Sequence, residues 1–433
     1  MKILLINSGE PQVRSKKTTL KQAFPFLEKF KPYSVLMPRP VIDGVIGGFG
    51  MSEKRFPVGL GYLSSMLKNA GHEVELLDRF CDNTAMVADF SEFDFIGIYA
   101  STPCFSDTLA LVEAIDASGF QGRISVGGPH ATLFPGSIPD SVHYVVQGEG
   151  EYVINDVVEG KYPSHSMIRT QRIKDLDQLP RPDYELFLDR PRPYNYGFNF
   201  AGVSKVYNMN TSRSCPMSCS FCSVRDIWGN LWTHHSAERV VDDIHYLQRT
   251  YGVDGIYFRE DFFPASKKRL VEICELIIRD GLNISWACET RADTTSDEEI
   301  VRLMARAGCV GLYIGAESGS DKMLKVFNKR ITSRNIVRTC ANAHKYGIAI
   351  AMSLIVAHPE ETYRDKLDTF SVIRTTKPET LYINVYRDEF ARHGMLEGDR
   401  PCTRRIYNEE YANGTWAAQR DRLRVFSTQD AVN

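Results

Sequence analysis

Apolar residues come in short runs along most of this chain, and the runs alternate with segments whose apolar positions repeat at a helical period. In the first 160 residues, runs at 2–6, 73–77, 93–99, 123–126 and 144–146 predict buried strands. Helical periodicity predicts helices at 57–70, 106–118 and 151–159. Strands that are apolar throughout, separated by helices, are the pattern of a parallel sheet covered on both faces. Residues 1–160 are therefore expected to form a doubly wound, Rossmann-like α/β domain. Such domains bind ligands at the carboxyl ends of their strands, here the loops 99–103, 127–132 and 147–151.

The rhythm then breaks. Residues 161–202 contain Leu-Pro-Arg-Pro-Asp at 179–183 and Arg-Pro-Arg-Pro-Tyr at 190–194, prolines dense enough to favour an extended linker. From 203 to 386 strand and helix alternate again, with strands expected at 206–211, 254–258, 283–288, 310–315, 348–356 and 381–386. Helices are expected at 236–250, 266–279, 296–307, 320–328, 332–346 and 361–376, and Ser-Asp-Glu-Glu at 296–299 reads as a capping box. Parallel units of this kind make a partial (βα)6 TIM-type barrel, with functional groups at the carboxyl ends of its strands. Residues 8–56 are basic, Pro/Gly-rich and aperiodic, the composition of a long loop or a disordered excursion. Residues 387–433 form a polar extension, read as a short outer helix or a source of substrate contacts.

Composition narrows the class. Hydrophobic content of 43%, charged content of 24% and a net charge of −2 describe a globular protein without the basic footprint of a nucleic-acid or anionic-membrane binder. No apolar run is long enough to span a bilayer, and the N-terminus reads as a first strand rather than a signal peptide. Ten cysteines in 433 residues are too few for a disulfide scaffold, which favours a reducing cytoplasm. Seven are scattered singly, at 81, 104, 274, 288, 309, 340 and 402.

The other three are concentrated. Residues 213–223 read Arg-Ser-Cys-Pro-Met-Ser-Cys-Ser-Phe-Cys-Ser and place Cys215, Cys219 and Cys222 at C-x3-C-x2-C spacing. A closed structural zinc site uses four protein ligands. Three thiolates on a cubane of four irons leave one iron open to a small molecule, and soft sulfur ligands suit such clusters. Zinc remains the alternative, with His234 or His235 as a fourth ligand.

With Phe221 before the last cysteine, the motif closely resembles that of the radical S-adenosylmethionine (SAM) superfamily. The resemblance implies a 4Fe–4S cluster on Cys215, Cys219 and Cys222, with SAM on the open iron. It also implies SAM contacts at the strand ends. Glu317 would hold the ribose hydroxyls, beside Ser318. Asp261, then Glu260, would meet the amino group, and Arg291 the carboxylate, with Phe221 adjacent. The plain structural reading of Glu317 is a strand-end glutamate capping the next helix.

In the first domain, Pro-Val-Gly-Leu-Gly-Tyr-Leu at 57–63, Gly-Gly-Pro-His-Ala-Thr at 127–132 and Val-Gln-Gly-Glu-Gly-Glu at 146–151 resemble the cobalamin-binding domain that precedes many radical SAM cores. That resemblance implies cobalamin contacts from Ser101, Thr102, Gly127, Gly128, Pro129, His130, Gly148 and Glu149. The D-x-H-x-x-G motif, whose histidine ligates cobalt in several cobalamin enzymes, is absent. Cobalamin is accordingly expected with its own base off the metal and no histidine in its place.

Together the resemblances imply a cobalamin-dependent radical SAM methyltransferase. A 5′-deoxyadenosyl radical would take a substrate hydrogen, and methylcobalamin would supply a methyl group to an unactivated carbon, or a phosphinate, of a small-molecule natural product. A reductase such as flavodoxin or ferredoxin would be the electron donor. Alternatives are a cobalamin-binding radical SAM cyclase or rearrangement enzyme, and a non-catalytic cobalamin and cluster sensor. A tRNA methylthiotransferase is a poorer match, because its N-terminal domain carries three further cluster cysteines.

Overall fold

The computed structural model describes residues 1–9, 56–79, 89–187, 203–356 and 358–386. The expectations for the long loop before Phe56, for Cys81 and for residues 387–433 lie outside the described residues. The first sheet is built from β1 (Lys2–Asn7), β2 (Glu73–Asp78), β3 (Phe95–Tyr99), β4 (Arg123–Gly127), β5 (Tyr144–Gln147) and β6 (Ser166–Arg169), all parallel, in the order β2-β1-β3-β4-β5-β6. Its helices are α1 (Val58–Asn69), α2 (Phe105–Ala117), α3 (Pro129–Leu133) and α4 (Ile154–Val158).

Strand alternation divides the apolar residues between two faces. Leu4, Ile6, Ile96, Ile98 and Val126 pack on one side with Leu111, Val112 and Ile115 of α2. Ile3, Leu5, Phe95, Tyr144 and Val146 pack on the other with Leu60 and Leu67 of α1 and Val157 and Val158 of α4. The strand order reverses between β1 and β3, so the ligand-binding crevice lies above those two strands. There the Ser8 hydroxyl donates to the Tyr99 carbonyl at 2.7 Å.

The second unit contains β7 (Val206–Met209), a small antiparallel pair β8 (Ser212–Arg213) and β9 (Thr233–His234), then β10 (Gly255–Phe258), β11 (Ser285–Thr290), β12 (Cys309–Glu317), β13 (Ala349–Val356) and β14 (Thr380–Val385). The six long strands are parallel, in the order β14-β13-β12-β11-β10-β7, an open partial barrel. Its helices are α5 (Val224–Trp228), α6 (Ala237–Tyr251), α7 (Lys267–Arg279), α8 (Ala292–Thr295), α9 (Glu298–Arg306), α10 (Asp321–Val326), α11 (Ser333–Lys345) and α12 (Tyr363–Thr376). Ile256, Phe258, Trp286, Cys288, Leu312, Ile314, Ile350 and Met352 pack against these helices. Alternation turns Tyr257, Glu289, Tyr313, Glu317 and Ser353 to the concave side.

Three expectations need correction. The linker read from residue 161 begins later, because β6 joins the first sheet; only Ile168 of its Ser-Met-Ile-Arg is buried, too weak a pattern to announce a strand. The loop 127–132 winds into α3, with Pro129 at the first helical position, where its missing N–H costs nothing. Ser296 does not cap α9. Asp297 does, accepting from the Glu299 amide, while Ser296 closes α8. True capping boxes stand at Thr332 with Asn335 and at Thr362 with Asp365.

The linker is stitched to both units. Asp183 accepts from Ser64 at 2.6 Å and pairs with Lys68 of α1, while Arg181 pairs with Asp242 and Asp243 of α6. Beneath it, Tyr62 of α1 meets His235 Nε2 at 3.0 Å, and His235 Nδ1 meets Asp177 at 3.0 Å. Both ring nitrogens of this buried histidine are thus engaged within the protein. Burial outweighs the Asp177 contact and pushes its pKa down to about 4.

A histidine held neutral below its unfolded pKa of about 6.5 lends stability that is complete above that value and is lost as pH falls toward the folded one. The shift to about 4 corresponds to roughly 3 kcal/mol at most. Urea midpoints measured from pH 7 to 4 should therefore fall more steeply for the native chain than for His235→Gln. Parallel pH profiles would show that another group sets the acid sensitivity.

Candidate functional site

The cysteine loop lies at the carboxyl ends of the barrel strands and is pinned on two sides. At the β10 mouth, Glu260 is fully buried and accepts from the Thr211 amide at 2.6 Å and from the Thr211 and Ser212 hydroxyls. Its neighbour Asp261 accepts from the Ser214 amide at 3.1 Å. On the far side, Ser220 donates its amide to the Phe327 carbonyl at 2.9 Å, and Asn328 donates to the Ser218 carbonyl at 2.7 Å. The loop's shape is therefore imposed by the barrel.

Cys219 is buried, and Cys215 and Cys222 are partly so. Burial raises the pKa of Cys215 and of Cys222, and each is raised further by its neighbouring thiols and Asp261. The three sulfurs thus share one electrostatic neighbourhood. Among the described residues, no group of three or more His, Cys, Asp or Glu is arranged to hold a single metal ion. A cubane takes each thiolate on a different iron, so its ligands need not converge on one point. The His235 alternative as a zinc ligand conflicts with the two hydrogen bonds already on its ring.

Arg291, buried at the end of β11, points its Nη1 at Cys219 Sγ, 3.7 Å away. Its remaining donors go to Asp293 and to the Lys329 carbonyl. Donors that sequence reasoning reserved for the SAM carboxylate are engaged here by protein groups and by a cluster thiol.

Glu317 ends β12 in the left-handed region, at φ 63°, beside a register shift against β13. Backbone conformations of this kind in a non-glycine residue are costly and concentrate at functional sites. Its Oε1 accepts from Lys329 Nζ at 2.8 Å in a pair that is almost wholly buried. Burial alone would lower the Lys329 pKa, but Glu317 and then Cys219 outweigh it and raise it. Gly315 leaves the necessary room, since a Cβ there would stand 2.6 Å from Glu317 Oε1 and 2.9 Å from Lys329 Nζ. The next helix is capped by Ser320, so helix capping is not the task of Glu317.

Lys329 escaped sequence reasoning. The available signal was the polar Asn-Lys-Arg at 328–330 between two helices, where Asn328 and Arg330 both adopt positive φ. Phe221 stands edge-on to Phe327 at 5.5 Å, with Lys329 Nζ 5.8 Å from its ring centre. Ser318 is buried, its hydroxyl on Thr369 and on the Ser320 amide. Asp261 faces the open mouth, where water reaches it, but the surrounding protein strips enough solvation to raise its carboxyl to about 6.

In the first domain, Gly128 (φ 100°) lets the β4 end pass close to strand β3, since a Cβ would lie 2.8 Å from the Ala100 carbonyl oxygen. Gly148 (φ 95°) donates its amide to the Thr132 hydroxyl at 3.0 Å. Pro129 and His130 open α3. Thr102 starts a short 3-10 turn after the extended Ser101, and its hydroxyl contacts His130 Nδ1 at 3.2 Å. His130 is fully buried, stacks on Phe105 at 3.7 Å and places Nε2 on Ser137 at 2.9 Å. With both nitrogens in use, it fits a support for the loop rather than a cobalt ligand. Gly127 closes β4, so these loops gather at the carboxyl ends of the sheet.

Glu149 behaves differently. Arg213, two residues before Cys215, donates Nη1 to Glu149 and Nη2 to Glu151, each at 2.6 Å. Glu149 also pairs with Arg172 at 2.6 Å and accepts from the Ile173 amide at 2.7 Å. Its carboxylate binds the cysteine loop's approach and the linker. The soft donors of the loop fit an iron–sulfur cluster, and the glycine-bearing strand ends facing it fit a bulky planar cofactor.

The radical SAM superfamily model matches residues 209–373, and the B12-binding domain model matches residues 53–158. An uncharacterized methyltransferase of Pyrococcus horikoshii is 30% identical over 333 residues, covering 71% of this chain and 70% of that protein. The anaerobic magnesium-protoporphyrin IX monomethyl ester cyclase of Cereibacter sphaeroides is 25% identical over 377 residues, 78% of this chain but only 60% of the cyclase. The solved structure of TsrM from Kitasatospora setae, with cobalamin and a 4Fe–4S cluster bound, superposes with a TM-score of 0.63 at 16% identity, covering 89% of this chain and 72% of that one. Fold and site thus define a radical SAM enzyme preceded by a B12-binding domain. The chain belongs to the cobalamin-dependent radical SAM family, and its cofactors are a 4Fe–4S cluster, SAM and cobalamin. No helix among the described residues is long and apolar enough to cross a membrane.

Glu317→Gln would leave a buried ammonium without its counter-charge, a change that costs about 3–5 kcal/mol when a buried pair is broken. Urea unfolding of the apoprotein should register that loss. A change below about 1 kcal/mol would mean that Lys329 finds another partner.

Proposed function

We propose that the protein transfers a methyl group to an unactivated carbon, or a phosphinate phosphorus, of a small-molecule substrate. The observation that carries this reading is the direct junction between the cysteine loop and the carboxyl-end loop 147–151 of the first sheet, through Arg213. It joins the barrel mouth that carries the cysteine loop to the carboxyl-end loops of the first sheet, which supports a shared cavity for the two cofactors. The resemblance to a methyltransferase over most of both chains supports the same reading.

In this proposal Cys215, Cys219 and Cys222 hold the cluster. The cluster supplies one-electron reduction of SAM, and cobalamin supplies the methyl group. Glu317, steadied by Lys329, takes the ribose hydroxyls, a task suited to an ionised carboxylate. Asp261 takes the SAM amino group. Arg291 lies against Cys219, and its hydrogen bond tunes the reducing power of the cluster, a property sensitive to donors at the sulfurs. The first-domain loops at Ser101, Thr102, Gly127, Gly128, Pro129 and Gly148 would line the cobalamin, while His130, with both ring nitrogens engaged, would support the loop. Electrons come from a flavodoxin- or ferredoxin-type reductase.

A second reading, cyclisation or rearrangement without methyl transfer, is favoured by the resemblance to the cyclase. Product analysis separates them. Methylation is expected to yield S-adenosylhomocysteine and 5′-deoxyadenosine in comparable amounts, whereas 5′-deoxyadenosine alone would support the second reading. Cys219→Ala, reconstituted with iron and sulfide, should lose at least 100-fold in 5′-deoxyadenosine formation, a deficit of about 2.7 kcal/mol or more in the barrier. Retained cleavage would overturn both readings.

A further inference from the structure

Glu149 and Glu151 of the first domain are both almost fully buried, and both pair with Arg213 of the barrel's cysteine motif, while Glu149 also pairs with Arg172 just after β6. Arg213 is clasped from several directions. Its guanidinium lies 5.4 Å from the Tyr62 ring of α1 and 5.9 Å from the Trp228 ring of α5, and Arg172 stacks over the same Trp228 at 5.0 Å. The charges of Glu151 and Glu149 hold it ionised despite burial, well above even the usual guanidinium range. A planar fork answering two separate carboxylates fixes direction as well as distance.

What this clasp positions follows from the chain. Arg213 belongs to β8, whose other residue, Ser212, donates to Glu260 at the β10 mouth. Ser214 donates its amide to Asp261, and Cys215 comes next. A continuous series of contacts thus joins residues 149 and 151 to Cys215, the first proposed cluster ligand. No other residue of the motif 213–223 forms an ion pair with the first domain among the described residues.

We propose that Glu149, Glu151 and Arg213 form a register lock that sets how the cluster faces the cobalamin, and that the lock decides how SAM is spent. The proposal rests on the methyl-transfer reading above. Two uses of SAM compete. One-electron reduction, with the electron drawn from an added reductant through the cluster, breaks the S–C5′ bond and gives methionine and a 5′-deoxyadenosyl radical, which takes a hydrogen atom from the substrate or, in its absence, from a C–H bond of the buffer. That use needs the barrel alone. Methyl donation breaks the S–CH3 bond, leaves the bond pair on sulfur as S-adenosylhomocysteine, and requires an electron pair from cobalt(I). That use needs the two domains in register. Arg213, Glu149 and Glu151 are positioning residues in this scheme, acting through the loop and touching no reacting atom.

The test uses reconstituted holoenzyme with SAM and titanium(III) citrate, without added substrate, comparing the native protein with Arg213→Lys and Glu151→Gln. Lysine keeps the charge but loses the fork. Glutamine removes one clasp and is the milder variant should Arg213→Lys fail to fold. 5′-Deoxyadenosine formation should stay within about twofold of the native rate while S-adenosylhomocysteine formation falls at least about tenfold. Pulsed electron paramagnetic resonance between the reduced cluster and cob(II)alamin should show a broadened distance distribution in the variants. A proportional fall of both products, or an unchanged distance distribution in both variants, overturns the lock. If the native protein forms no S-adenosylhomocysteine, the methyl-transfer reading fails by itself. The distance measurement then decides the lock alone, broadening in its favour and constancy against it.

Discussion

One guanidinium ties the cysteine loop of the barrel to a carboxyl-end loop of the first sheet. Arg213 is buried between Glu149 and Glu151, and its charge would be costly there without them. Buried ion pairs of this kind contribute less to net stability than to geometric definition, because desolvation consumes most of their attraction. Here the geometry they define is that of the cysteine loop that follows Arg213. Glu260, Asp261, Phe327 and Asn328 fix the same loop from the barrel side. The loop is consequently shaped by contacts from three directions.

The mouth of the barrel shows how strain and charge are set against each other. Glu317 occupies a backbone region that glycine normally takes, and a buried lysine holds its side chain. Neither feature benefits the fold taken alone. Asp261, with its carboxyl raised by loss of solvent, sits within the same mouth. Groups with shifted protonation, gathered at the carboxyl ends of parallel strands, are a pattern expected of functional sites.

Much of this architecture was readable from the chain. Apolar runs such as Ile3–Ile6 and Ile348–Val356 are buried on both faces, so they stand out whatever their surroundings. The same logic explains the failures. β6 buries only Ile168, and the start of α9 depended on which of Ser296 and Asp297 the preceding short helix left free. At the site, the cysteines were legible because their spacing is itself the chemistry. The engagement of Arg291 with Cys219 was not, nor was the partnership of Glu149 with Arg213, since each joins residues more than sixty positions apart. Lys329 was missed for the same reason: its partner Glu317 is near in sequence, but only a positive-φ turn brings the two together.

The apolar core carries one more implication. Phe56, Val58 and Tyr62, which open the first domain's leading helix, belong to the same continuous core as Tyr207, Met209, Ala237 and Val240 of the barrel, and Phe56 stacks on Phe187 of the linker at 4.6 Å. The border drawn between the two sequence families thus runs through oil rather than water. A barrel excised at that border would present a greasy wound, and a foreign B12 module grafted onto it would have to match that surface residue for residue. A change on either side of that border must therefore be accommodated by the other, as one interior with two mouths.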